Sequence, residues 1–349
     1  MNPFKYGETV DGENFCRRPE LARILKGYVE SGQNVVMQGE RRMGKTSLVL
    51  ETVRGMKGVA MFHADLFCVR DTADLCRRLT SALARFENSA GFLEKIVKAL
   101  ARLRPTLSID PNTGAPTVSV DVKAATDLTS LETVLDAIIA HTAKHKSCVI
   151  LDEFQDILDI EDGERVIAIM RGRIQLDTKT SYIFLGSVRN KMTDIFMHPN
   201  SPLYRGAAPL PVGEIDADDF YKFLASRFAT GKRKLSRTTF DAIREIARNT
   251  PGDIQELCDA IWDCTRNGQA ISEADVRKGL DVIFSRERDH YEIFIRRLTA
   301  LQMRVLAAMA SKGGQEVFSV EFLSAASVLN LKIAVEVNGA LARQPKLAG

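Results

Sequence analysis

No two of the six cysteines, at positions 16, 68, 76, 148, 258 and 264, stand in C-x-x-C spacing. That argues against a zinc knuckle or a redox dithiol. No apolar run reaches the length of a membrane helix, and Met1-Asn2-Pro3-Phe4-Lys5-Tyr6-Gly7 lacks the apolar segment of a secretory signal. Charge of one sign is also scarce. The net value is +3, which favours neither nucleic acid nor an acidic membrane as a partner. The expectation is a cytoplasmic protein with no membrane partner. Cys148, inside an apolar run, reads as a small buried hydrophobe.

What is there is ample for a folded protein. The chain has 349 residues, enough for two or three domains with a sizeable core. Its 45% apolar and 27% charged residues are ordinary for a globular chain, so function must be sought in local motifs.

The strongest motif is Gly39-Glu40-Arg41-Arg42-Met43-Gly44-Lys45-Thr46, which fits G-x-x-x-x-G-K-[ST] without substitution. Glycines let backbone N–H groups turn inward around phosphates with no Cβ in the way. Lys45 is a point charge for the β- and γ-phosphates of a nucleotide, and the Thr46 hydroxyl is a ligand for Mg²⁺. Ser47 follows at once. Asn34–Gln38 reads as a short buried strand, and Ser47–Val53 continues as an apolar helix. Strand, glycine loop and helix form the setting that separates this motif from a glycine turn beside a surface lysine.

Periodicity supplies the rest of the order. A helix begins at Pro19, a strand covers Gly58–Asp65, and helices follow over Asp71–Phe86 and Gly91–Leu103. Thr106–Asp110 and Thr117–Val122 alternate in polarity around Pro111-Asn112-Thr113-Gly114, a β-hairpin signal. Falling between helices, it reads as an insertion near 105–123. Leu131–Ala143 is helical, Ser147–Asp152 is an apolar run ending in acid, Val166–Leu176 is helical, and Ser181–Ser187 is another buried strand. Alternating strands and helices predict an α/β core, a P-loop NTPase parallel sheet with helices on both faces, over residues 1–213. Thr46, Asp152 and Ser187 then lie at the carboxyl ends of strands, where such sheets bind ligands.

From residue 214 the pattern is all-helical, with helices predicted at 216–229, 236–248, 253–267 and 273–283, a lid over 214–285. Residues 286–349 read as a helix-turn-helix-like module. The helix face Leu298, Leu301, Val305, Leu306 and Met309 precedes a helix opening at Phe318–Leu323 and a third over Lys332–Ala342.

Asp152 and Glu153 supply what hydrolysis needs beyond a phosphate loop: a holder for Mg²⁺ and a base for the attacking water. The alternative is a helix-capping acid beside a first-turn acid. Ser187 reads either as a contact to the γ-phosphate or its water, or as a helix cap. Arg205 reads either as a finger arginine or as a surface arginine beside a loop. Arg41 and Arg42 lie inside the loop and carry no catalytic role.

Asn2-Pro3-Phe4-Lys5-Tyr6-Gly7, Phe15-Cys16-Arg17-Arg18-Pro19-Glu20-Leu21 and Gly39–Ser47 resemble the archaeal-type ATPases near the STAND and AAA+ groups. The likeness extends through Val149–Glu153, Leu185-Gly186-Ser187, Pro202–Arg205 and Pro251-Gly252-Asp253, about residues 1–285. It implies an ATPase core, a helical lid and often a winged-helix tail, with ATP and Mg²⁺ as cofactors. By this resemblance Phe4, Tyr6 and Phe15 line the adenine side and Pro251 joins the nucleotide-binding set. By themselves those aromatics read as core. Related replication initiators carry G-D-x-R in the lid; here the run is Gly252-Asp253-Ile254-Gln255, so sensing through an arginine at that position is in doubt.

Two functions follow. One is an ATP-driven switch or remodelling protein whose nucleotide state controls lid closure and an unknown protein partner, with homo-oligomers implied if Arg205 acts in trans. The other is an ATP-regulated DNA-binding protein of initiator or transposition-regulator type, using residues 286–349. Residues 285–349 hold nine Lys/Arg against six Asp/Glu, a thin basic surplus for a DNA reader. A small-molecule kinase using the same loop is disfavoured by the lid and tail.

Overall fold

The structure, a computed structural model, describes residues 1–86, 106–109, 116–119, 128–187, 189–312 and 316–327, with backbone alone at 106–109, 116–119 and 189. The expected helices at 91–103 and 332–342, the turn of the hairpin and any wing lie outside the described residues. The chain divides into two compact units, Met1–Glu256 with Asn267–Ala270, and Leu257–Arg266 with Ile271–Gly349. Among the described residues no helix is long and apolar enough to cross a membrane, and none of the six cysteines is in a disulfide.

The first unit is a P-loop NTPase fold built on a five-stranded parallel sheet. Its strands are β1 (Val35–Gln38), β2 (Val59–Asp65), β5 (Lys146–Asp152), β6 (Ser181–Gly186) and β7 (Ala208–Pro209), ordered β2-β5-β6-β1-β7. β6 therefore separates the strand that feeds the phosphate loop from the strand that ends in Asp152. The two central strands β5 and β6 are almost wholly buried, as their continuous apolar runs require. Val149 and Leu151 face one apolar cluster with Phe62, Phe154 and Phe184, while Cys148 and Ile150 face another with Leu25, Leu48 and Val49. Each fully buried aliphatic side chain contributes about 1.5–3 kcal/mol through apolar area removed from water.

The edge strand β7 shows why proline is tolerated there. Ala208, Leu210 and Val212 donate their N–H groups to Asn34, Val36 and Gln38, and Pro209 falls between donors where no N–H is needed. A separate antiparallel pair, β3 (Thr106–Ile109) and β4 (Pro116–Ser119), sets Thr106 opposite Ser119, so the alternating segments do form a hairpin-like pair.

Helices Ala217–Ala229, Arg237–Ile246 and Pro251–Cys264 follow. Asp216 caps the first by accepting from the N–H groups of Asp218 and Asp219, which satisfies two of its open donors.

In the second unit the helix expected to end at 283 runs on as Glu273–Arg296. The apolar pattern is interrupted over 285–290 and resumes at Tyr291, whose ring lies 5.9 Å from that of Phe284, while Glu292 pairs with Arg288 and Arg296 one turn away on either side. Arg286 reaches Asp259 and Asp263 at 2.8 and 2.7 Å. The reading that divides the chain at 285 therefore cuts within a continuous helix. Helices Ala300–Lys312 and Val320–Ala325 pack through Val305, Ala308, Phe322 and Ala326, with Ser319 capping the second.

Candidate functional site: the phosphate loop and the ends of three strands

Residues 39–44 leave the end of β1 and enter the helix Lys45–Arg54. Gly39 is required by crowding. A Cβ there would stand 2.6 Å from the carbonyl oxygen of Val212. Gly44 is required by conformation, since its φ of +78° lies in the left-handed region. Met43 turns its side chain into the core, leaving only its backbone to the loop. Arg18, 7% exposed, braces the loop by donating to the carbonyls of Met43 and Gly213 at 2.8 Å each. Burial lowers its pKa to about 10.

Lys45 is buried and donates from Nζ to the carbonyl oxygens of Gly39 and Glu40, both at 2.8 Å. Desolvation lowers its pKa, against the opposing pull of Glu153 and Asp152. Its ammonium is thus held over the loop and within the field of both carboxylates. Thr46 Oγ1 donates to Asp152 Oδ2 at 2.7 Å. Burial pushes the Asp152 pKa up, but His63 and the Thr46 hydroxyl outweigh it, so the carboxyl stays below its ordinary range. His63 Nε2 stands 3.8 Å from Asp152 Oδ2, beyond hydrogen-bond reach. A hydroxyl and an ionised carboxylate side by side are hard oxygen donors, a set that fits Mg²⁺.

Glu153 sits at φ +49°, a left-handed conformation that is strained for a side-chain residue. Its Oε2 accepts from Ser187 Oγ at 2.8 Å and from Gln155 Nε2 at 2.6 Å. The carboxylate is thereby fixed between the ends of β5 and β6. The Ser187 hydroxyl is oriented by Glu153.

Lys45, Thr46, Asp152, Glu153 and Ser187 are brought together. Others are not. Ser47 turns its hydroxyl to the N–H of Val10, which it accepts at 3.1 Å. Phe4 is buried with its ring 4.6 Å from that of Phe228. Tyr6 is half-buried. Phe15 lines a cavity of about 760 Å³ with Cys16, Phe223 and Arg227. Arg205 is exposed and stacks over Tyr204. Its neighbour Gly206 accepts from Asn34, and Ala208 pairs with Val35, the first residue of β1. Arg205 therefore sits at the opposite end of β1 from the phosphate loop. Glu40 and Arg41 are exposed, and Arg41 lies over the Phe67 ring.

Arg42 is tied down instead of facing solvent. It pairs with Asp253 at 2.9 Å and with Glu256 at 2.6 Å. Pro251 opens the helix that carries both acids. The contacts of Arg18, His63 and Gln155 and the pairing of Arg42 with Asp253 and Glu256 escaped sequence reasoning. A buried arginine has no periodic signature, and partners far apart in the chain leave no local pattern, even where one of them, Arg42, stands in the loop.

The fold is shared with solved archaeal structures. A Walker-type ATPase of Pyrococcus abyssi matches with a TM-score of 0.59 at 18% identity, over 96% of this chain and 93% of its own. The Aeropyrum pernix ORC2 protein in its ADP form matches at 0.55 and 16% identity, over 97% and 89%. The Aeropyrum pernix ORC1 protein, solved in complex with DNA, matches at 0.52 and 15% identity, over 93% and 82%. No protein-family model and no curated protein matches the chain.

Proposed function

We propose that this protein is a Mg²⁺-dependent ATPase acting as a switch. Its nucleotide state would control closure of the helices over 214–285 and the binding of a partner. The observation that carries this reading is the convergence of Lys45, the Thr46–Asp152 pair and the Glu153–Ser187 pair at the ends of β1, β5 and β6. Backbone N–H groups of Gly39–Thr46 and the Lys45 ammonium bind the phosphates. Thr46 and Asp152 would hold Mg²⁺, which would supply charge neutralisation to the bound phosphates. Glu153, kept in place by Ser187 and Gln155, orients a water and takes its proton. Phosphate product carries charge out of the loop, and the site loses what distinguished its closed form.

The test is a coupled ATPase assay with nucleotide-binding measurements on the same samples. Lys45→Ala should lose binding and turnover. Glu153→Gln should bind ATP and lose turnover by about 100-fold or more, the usual contribution of a general base. Wild-type turnover in both variants would overturn the site.

An ATP-regulated DNA-binding protein is the second reading. It is favoured by the shared fold with the ORC1 protein solved on DNA and by the helical C-terminal unit, which on this reading is a winged-helix-like module over 286–349. Fluorescence anisotropy across a salt series decides it, since phosphate contacts make affinity fall steeply with salt. Arg205, at the far end of β1, would serve only in trans within a homo-oligomer; a mixture of Arg205→Ala and Lys45→Ala proteins that recovers turnover supports that role.

A further inference from the structure

The phosphate loop is attached to a helix start that lies more than two hundred residues away in sequence. Arg42 makes this attachment with both backbone and side chain. Its carbonyl accepts from Gly252 N–H at 3.0 Å. Its guanidinium donates to Gly252 O at 3.2 Å, to Glu256 Oε2 at 2.6 Å, and pairs with Asp253 Oδ1 at 2.9 Å. Contact is steric as well as polar. A Cβ on Gly252 would stand 2.8 Å from Arg42 Cβ and 3.2 Å from Arg42 O. Only glycine lets the two backbones approach this closely.

Arg42 also holds a φ of +62°, uncommon for a residue with a side chain. Such a conformation costs on the order of 1–3 kcal/mol and persists where surroundings over-determine it. Here the surroundings are the fork of contacts to residues 252, 253 and 256. The strained residue stands two positions before Gly44, within the loop whose N–H groups would face phosphates. Any rearrangement of that backbone on binding an anion must pull on Gly252, Asp253 and Glu256. Conversely, motion of the helix start must pull on the loop. The side chain is 23% exposed, and Glu256 only 16%, so the Arg42–Glu256 pair is partly shielded from solvent.

We propose that Asp253 and Glu256 are positioning residues for the phosphate loop, acting through Arg42, and that this clamp transmits loop occupancy to the helix Pro251–Cys264. The nucleotide arm of its test rests on the proposed nucleotide reading; the nucleotide-free arm does not. A planar guanidinium is needed because only its fork spans two carboxylates and a carbonyl at once.

Hydrogen–deuterium exchange reads the clamp directly. Without nucleotide, Asp253→Asn/Glu256→Gln should speed amide exchange at residues 40–44 by about fivefold or more, the lower end of ordinary coupling, although neither substitution lies in the loop. Gly252→Ala should do the same by steric displacement, with no change of charge. Arg42→Lys should speed exchange at 250–256. If exchange changes only around the substituted residue, the clamp is overturned. With ATP and Mg²⁺, wild-type protein should slow at 250–256, and the double variant should bind nucleotide without that slowing. Equal slowing in both proteins overturns the transmission. Loss of nucleotide binding by wild-type protein itself sinks the ATPase reading, and the nucleotide-free arm still decides the clamp.

Discussion

The hydroxyl of Ser187 donates to Glu153 Oε2 at 2.8 Å, joining the ends of two neighbouring strands through one carboxylate. Ser187→Ala removes one of two donors to that oxygen, leaving Gln155. The expected result is a several-fold fall in kcat with nucleotide affinity unchanged, and a stability loss of about 1 kcal/mol. Steady-state kinetics beside a binding isotherm separates the two. An unchanged kcat would return Ser187 to a structural role.

Gly39 faces Val212 O across a gap that a methyl group cannot enter. Gly39→Ala is expected to cost about 1–3 kcal/mol as overpacking against backbone. Gly44→Ala meets no atom within 4 Å but must adopt φ +78°, at a cost of about 1–2 kcal/mol. Urea midpoints for the two variants test whether crowding or conformation governs each glycine.

Arg18 links Met43 in the loop to Gly213, beyond the last strand. Arg18→Met keeps much of the bulk and strips both carbonyls of a donor. Destabilisation of about 1–3 kcal/mol is expected from the unsatisfied acceptors. Chemical denaturation measures it, and a loss confined to tenths of a kcal/mol would show that water replaces the guanidinium.

Cys148 is fully buried in β5, and burial pushes its thiol up to about 12. The unfolded thiol titrates near about 8.5. The folded state therefore keeps a proton that the unfolded state gives up as pH rises. This contribution is whole below the unfolded value and is lost as pH climbs toward the folded one. Stability should fall by about 1.4 kcal/mol per pH unit from this group alone above about pH 9. Cys148→Ala should flatten that part of the slope, whatever it does to the midpoint. Denaturation curves from about pH 8 to about pH 10 supply the comparison.

The phosphate loop and the acidic strand end were legible because their chemistry is contiguous. Lys45 and Thr46 stand in one unbroken pattern, and Asp152 closes a run whose burial is written in its apolar residues. The hairpin pair was legible through alternation. The helix past Ile283 was not, since the polar stretch 285–290 interrupts the apolar pattern before Tyr291 and the pairs of Glu292 with Arg288 and Arg296 carry no apolar period.

Sequence by itself determined the class of fold and the candidate residues for phosphate chemistry, because backbone demand and local periodicity are encoded residue by residue. Tertiary structure alone decided which partners those residues meet. It turned Arg42 to Asp253 and Glu256, aimed Ser187 at Glu153, and set Arg205 at the far end of β1. Such outcomes depend on strand order and on contacts between segments far apart in the chain, which no local pattern records.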